Sequence, residues 1–414
     1  MRKTLLMMLR KPLSLLLTAT MISGCTMIPD ISMPDFSAAK NWIKVPGYEV
    51  PISEEKAADM AWQEFFQSDE LILIISTALA NNRDLRTAAL NIEEARALYR
   101  IDRADLLPNV NINGSKTTSR TSEESSTTGQ ETQTDIYEAN IGLASYELDL
   151  FGRIRSNNRS ALNEFFATEE AHNLVRNALI AEVANAYLQL LADEKLLSLT
   201  EKTLKAQQRT YDILSQSLEK GVSTEQDVAR ASTAVETARV NMHQYSRNVV
   251  QDKNALFLLM GIPFDEDFLP KTSLDHIHVK DQLNAGLPSE MLLYRPDIRQ
   301  AEYQLLARNA DIGAARAAFF PSISLTGTYG YASQNLDQLF TSSAFGAWTF
   351  IPQITLPIFQ GGRNKSNLDL AEIRKDLAIV TYEDTIQTAF AEVADELAAR
   401  ATLDEQLKAQ RRLV

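Results

Sequence analysis

Between residues 183 and 218 apolar side chains recur at every seventh position: Val183, Leu190, Leu197, Leu204, Tyr211 and Leu218. A heptad period holds one stripe of a slightly underwound helix against a partner, so this run predicts a coiled-coil helix. It is expected to extend from about Arg153 to Leu218, ~65 residues or ~100 Å at 1.5 Å per residue. A second set follows at the same spacing, Val228, Val235, Met242, Val249 and Leu256, with Ala231, Ala238 and Tyr245 beside it. The two runs are separated by a short stretch holding Lys220-Gly221-Val222, which predicts an antiparallel helix pair joined by a tight turn there. Thr224 and Asp227 have the spacing of a capping box, in which hydroxyl and carboxylate satisfy free N–H groups at a helix start.

Two other regions switch to a period of two. Val110 and Ile112 alternate with Asn109, Asn111 and Asn113, and Tyr137, Ala139, Ile141 and Leu143 alternate with Glu138, Asn140 and Gly142. Later, Ile323, Leu325, Tyr329 and Tyr331 alternate with Ser322, Ser324, Thr326 and Thr328, and Trp348, Phe350, Ile354 and Leu356 mark a return strand. Such alternation predicts strands with one apolar and one polar face. A half-buried soluble sheet shows the same period. Strand lengths near the ~9–11 residues that cross a bilayer, with aromatic residues near the ends, favour a membrane barrel. On that reading Ile323, Leu325, Tyr329, Trp348 and Leu356 face lipid, while Ser324, Thr326 and Thr328 face a lumen. Thr117 to Thr134, rich in Ser, Thr and Glu, reads as a solvated loop. Four strands cannot close a barrel and open edges are not tolerated in lipid, so other copies of the chain are expected to complete it.

The two regions are related by an internal repeat. Asp84-Leu85-Arg86 aligns with Asp297-Ile298-Arg299, Leu107-Pro108 with Phe320-Pro321, Arg153 with Arg363, and Ala181-Glu182-Val183-Ala184 with Ala391-Glu392-Val393-Ala394. Each copy reads helix, strand pair, long helix. The organisation expected is a signal over 1–24, a lipid-anchored linker with short helices over 25–80, a first repeat over 81–262, an equatorial linker over 263–294 and a second repeat over 295–414. Leu407-Lys408-Ala409-Gln410 echoes Leu204-Lys205-Ala206-Gln207, and on that alignment the second copy is expected to lack the turn and return helix of the first.

Charge and cysteine usage narrow the class. Against 54 Asp and Glu stand 41 Lys and Arg, a net charge of −13, which opposes nucleic-acid binding because phosphates demand a basic surface. Past the N-terminus nothing supplies the ~18–20 apolar residues of a spanning helix. The single cysteine is Cys25. It follows Arg2, Lys3, Arg10 and Lys11 and an apolar run from Leu13 to Ile22, the form of a secretory signal. Ile22-Ser23-Gly24-Cys25 resembles the bacterial lipobox, which implies cleavage before Cys25 and its lipidation; Thr26 in place of an Asp favours delivery to the outer membrane. No catalytic set emerges: His172, His243, His276 and His278 lie in no metal-ligand or nucleophile pattern, and His276 with His278 is a weak pair beside Asp275. No cofactor or metal is expected.

Together, the lipobox, the repeated helix–hairpin–long helix, the Leu-Pro and Phe-Pro strand starts and the Gly-Val turn inside a heptad hairpin resemble the TolC-like outer-membrane factors. Ala80-Asn81-Asn82-Arg83-Asp84-Leu85 and the stretch from Gly286-Leu287-Pro288-Ser289 to Arg295-Pro296-Asp297 are similar to the lipoprotein branch serving resistance-nodulation-division multidrug pumps. The resemblance implies a mainly α fold with membrane β. Long antiparallel coiled coils would form a periplasmic tunnel, and four strands per chain a twelve-strand barrel in a homotrimer. It implies a passive outer-membrane channel of a Gram-negative bacterium, exporting small toxic compounds with a periplasmic membrane-fusion adaptor and an inner-membrane resistance-nodulation-division transporter. Gly221 and Val222 would lie at the tunnel's periplasmic tip, and Asp227 matches an aspartate that helps hold the tip closed. A channel for type I protein secretion, or a lipid-anchored coiled-coil spacer without a pore, are the alternatives.

Overall fold

The structure is a computed structural model that describes residues 26–33, 60–125, 129–268, 271–280, 294–341 and 345–413. The expected leader and Cys25 lie outside the described residues. The main elements are α1 (Asp69–Asn81), α2 (Arg83–Ala104), β1 (Val110–Thr121), β2 (Thr132–Leu148), α3 (Arg153–Glu219), α4 (Glu225–Met260), α5 (Pro296–Ala317), β3 (Ser322–Ser333), β4 (Phe345–Thr355) and α6 (Arg363–Leu413). No helix among the described residues is long and apolar enough to cross a membrane. The chain divides into two compact units, one within Met1–Phe36, Glu93–Ala167 and Ala301–Thr385, the other within Ser37–Ile92, Thr168–Gln300 and Ile386–Val414.

The first unit is built on one antiparallel sheet in the order β1-β2-β3-β4. The two hairpins of the repeat therefore join, because β2 pairs with β3 from Leu148↔Ile323 to Tyr137↔Ser333. The ladder between β1 and β2 runs on to Thr121↔Thr132, so much of the stretch read as loop is strand. Threonine suits the extended backbone, and cross-strand charges hold this polar end together: Lys116 meets Asp135 at 3.2 Å and Arg120 meets Glu131 at 2.5 Å. Between Leu143 and Tyr146 the register slips by a bulge, with Ser145 at φ 52°. One extra residue moves Tyr146 and Leu148 onto the face already occupied by Leu143 and Ile141.

The second unit has a conventional apolar core. The hydroxyl of Ser68 caps α1 by accepting from the Leu71 N–H at 3.4 Å, and the helix buries Leu71, Ile74, Ile75 and Ala78. These pack in one cluster with Val183, Tyr187 and Leu190 of α3 and Leu256 and Met260 of α4. Burying each large aliphatic side chain contributes about 1.5–3 kcal/mol. The heptad positions are most covered here, with Val183 and Leu190 fully buried, and become half-buried from Leu197 through Leu218. Asn82 joins three elements. Its Oδ1 accepts from the N–H groups of Asp84 and Leu85 at 2.8 and 3.0 Å, starting α2, while its Nδ2 donates to the Leu259 carbonyl at 2.9 Å near the end of α4. Gly261 stops α4 at φ 66°, and a side chain there would strike the Asn81 carbonyl. That position requires glycine on both counts.

Candidate functional site

Residues directly opposite in neighbouring strands share a face of the sheet. Tyr329 stands opposite Trp348 and Ile141, Ile323 opposite Ile354 and Leu148, and Leu325 opposite Pro352 and Tyr146. With Val110, Ile112 and Leu143 they form a continuous apolar face. The other face is mainly polar and carries Asn111, Asn113 and Ser115, then Glu138 and Asn140, then Ser324, Thr326 and Thr328, then Thr349, Ile351 and Gln353. Tyr329 and Trp348 are 66% and 73% exposed, so large aromatic surface stands uncovered in the single chain. Ile323 and Leu325 are half-buried, and Leu356 lies just beyond the last residue of β4 and is half exposed. Strands β1 and β4 have no partner on their outer sides among the described residues.

Two glycines on the polar face allow β2 and β3 to approach closely. A Cβ on Gly142 would lie 2.6 Å from the Gly327 carbonyl, and one on Gly330 would strike the Ala139 carbonyl. Both positions lie on the β2–β3 seam on the polar side. The backbones approach so closely there that only hydrogen fits.

At the β2 end the strand turns into α3 around Asp149. Its carboxylate accepts from the N–H groups of Ile154 and Arg155 at 3.2 and 2.9 Å, capping the helix, and holds the Arg155 Nε at 3.1 Å. Gly152 supplies φ 76°. Arg153 is held by Glu147 through paired bonds of 2.9 and 2.6 Å, so its guanidinium is engaged within the chain. Phe151 and Phe320, at the ends of β2 and β3, stack with centroids 4.7 Å apart.

The first described residues lie against the same unit. Asn309 of α5 donates its Nδ2 to the Pro29 carbonyl at 2.8 Å, and a Cβ on Gly313 would lie 2.6 Å from both Ile28 Cγ1 and Ser156 Oγ. Residues 26–33 are thereby seated beside α5 and the first turn of α3.

At the α3–α4 turn, Gly221 adopts φ 74°, its N–H donating to the Leu218 carbonyl at 2.9 Å while the Val222 N–H donates to the Ser217 carbonyl at 2.8 Å. This paired closure ends a helix economically in two residues. Val222 is 82% exposed. Asp227 completes the capping box: Oδ2 accepts from the Thr224 hydroxyl at 2.6 Å and from its N–H at 3.2 Å, and the Asp227 N–H donates to Thr224 Oγ1 at 3.2 Å. These bonds to Thr224 hold the Asp227 carboxyl below the usual carboxylate range.

The outer membrane efflux protein profile matches residues 74–262 and 287–414. The chain belongs to that family. It is 47% identical over 408 residues to the probable efflux pump outer membrane protein TtgC of Pseudomonas putida, covering 98% of this chain and 84% of that protein. Outer membrane protein OprJ of Pseudomonas aeruginosa is 41% identical over the same length and with the same coverage. Among solved structures, the open-state outer membrane channel MtrE of Neisseria gonorrhoeae superposes with a TM-score of 0.83 at 40% identity, covering 94% of this chain and 85% of that one. A membrane protein from Pseudomonas aeruginosa gives 0.87 at 41%, covering 94% and 86%. The family is one of channels rather than enzymes, and the mainly helical chain with one open four-stranded sheet has its architecture.

Several residues that shape these sites were not singled out from sequence. Asp149, Glu147, Ser145 and Gly330 carry no period or motif of their own. Asp149 offered one signal, an acidic residue shortly before a helix whose first turn holds no acid.

Proposed function

We propose that the chain is the outer-membrane channel of a tripartite drug or solvent efflux pump, working as a passive conduit with a periplasmic adaptor and an inner-membrane transporter. The observation that carries this reading is the open sheet: four strands, apolar on one face and polar on the other, with unpaired backbone at both outer edges. Unpaired edges are unfavourable in hydrocarbon by several kcal/mol per group, so lipid insertion demands that β4 of one copy meet β1 of the next. Three copies would supply a closed barrel of even strand number. The relatives' names support the cargo class, since TtgC of one Pseudomonas putida strain is a toluene efflux pump protein and ArpC an antibiotic efflux pump protein.

In this reading Ile323, Leu325, Tyr329, Trp348 and Leu356 contact lipid, and Gly221, Val222 and Asp227 form the tip that meets the adaptor and gates the conduit. Cys25 carries the lipid anchor. The seating of Ile28 and Pro29 beside the strand-to-helix junction supports that placement, because the acyl chains would then begin near the membrane-inserted sheet. Purified oligomer in planar bilayers should give discrete single-channel conductance steps. A stable bilayer-bound oligomer that carries no current would favour a spacer and overturn the conduit.

A further inference from the structure

Where α3 and α4 pack in the second unit, two carboxyl groups face each other. Asp193 of α3 is 5% exposed, and Asp252 of α4 is half-buried, its Oδ2 out of solvent with no donor to it. The two side chains lie within hydrogen-bonding reach of one another. The next residue along each helix forms an ordinary ion pair, Glu194 with Lys253 at 3.4 Å. Apolar residues bracket the carboxyl pair, Leu190 and Leu191 on α3 and Val249 and Leu256 on α4.

The charged groups nearby are committed elsewhere. Lys195 holds Asp275 of the 274–276 turn at 2.6 Å, with His276 beside that aspartate. On α1, Glu70 accepts from the Tyr187 hydroxyl at 2.9 Å and from the Lys271 N–H at 2.6 Å. No ion pair among the described residues reaches Asp193 or Asp252. Two ionised carboxylates side by side in apolar surroundings repel without compensation, whereas one shared proton turns the repulsion into a hydrogen bond.

We propose that Asp193 and Asp252 hold a single proton between α3 and α4, and that its loss at raised pH loosens the helix pair, making this contact a pH-responsive joint in the coiled coil. Burial first, and the charge of Asp193 second, push the Asp252 carboxyl above the usual range. A carboxyl whose folded value is raised binds its proton more tightly in the folded state. Its stabilising effect is complete below the ordinary carboxylate value and is lost as pH rises through the raised value.

The test is thermal unfolding of the full chain, purified in detergent, across about pH 4 to 8, a range that brackets a raised carboxylate. Wild type should lose stability with rising pH relative to Asp252→Asn, in which the amide replaces the protonated acid and that part of the slope disappears; Asp193→Asn, which removes the repelling charge but leaves Asp252 where it is, should shrink the slope without abolishing it. Parallel pH profiles for wild type and either folded variant would overturn the proposal. Hydrogen exchange of wild type keeps the test decisive should both variants fail to fold. Residues 186–200 and 245–259 should lose protection with pH beyond the intrinsic chemical acceleration, while residues 204–218 should not. Unchanged protection around Asp193 and Asp252 would equally overturn it.

Discussion

The backbone N–H of Ser145 donates to the Thr326 hydroxyl at 3.2 Å, at the one point where the β2–β3 register slips. Ser145 sits there at φ 52°, a left-handed conformation that is unfavourable for most side chains. Glycine relieves that strain and a β-branched residue worsens it. Ser145→Gly should therefore match or exceed wild-type thermal stability, whereas Ser145→Val should lose about 1–3 kcal/mol. Equal unfolding midpoints for the two variants would show that the bulge is not held in this conformation.

The faces of β4 can be tested with adjacent residues. Phe350 lies opposite Gly327 on the apolar face and Thr349 opposite Thr328 on the polar face, both in mid-strand. If the apolar face meets hydrocarbon, Phe350→Arg should cost roughly 2–4 kcal/mol of membrane-inserted stability, while Thr349→Arg should assemble normally. Reconstitution yield and urea unfolding in vesicles would measure the difference. Equal impairment would reverse or abolish the assignment.

Asn82 serves two helices at once. Replacing it with Ala removes the cap of α2 and leaves the Leu259 carbonyl without its donor, a combined loss of about 1–3 kcal/mol. Asn82→Asp keeps the cap but loses the amide donor, so it should fall between. Chemical denaturation of the three proteins should rank wild type, Asp and Ala in that order.

The parts of this fold legible in sequence are those governed by a local period. The heptads at Val183 and Leu190 and the alternation through Tyr329 and Trp348 each report a burial pattern repeated within one element. Gly221 and the Thr224–Asp227 pair were readable because turn and cap chemistry act over a few residues. Contacts that join distant segments leave no such trace. The β2–β3 pairing, the bulge at Ser145, the tie from Asn82 to Leu259 and the meeting of Asp193 with Asp252 each depend on how separate elements pack. Thr117 to Thr121 read as loop for a related reason: their cross-strand partners, not apolarity, make them strand.

At Asp227 a structural role, the cap of α4, coincides with the proposed gating role. Its carboxylate accepts two bonds from Thr224, and these depress its pKa. A carboxylate with a depressed folded value contributes stability above the ordinary carboxylate value, and that contribution is lost as pH falls through the depressed one. Asp227 is only partly covered and sits in the first turn of α4, so the effect is local fraying rather than global unfolding. Amide exchange at residues 225–228 should rise in Asp227→Ala after correction for intrinsic rates, and wild type should approach the variant only at strongly acidic pH. The same variant separates the two roles. If Asp227 only caps α4, exchange changes and channel conductance at neutral pH does not. If it also closes the proposed tip against neighbouring helices, Asp227→Ala raises conductance, and Thr224→Ala, which removes the cap hydroxyl but keeps the charge, leaves conductance near wild type. Equal conductance increases in both variants would place the effect in helix capping and remove Asp227 from the gate.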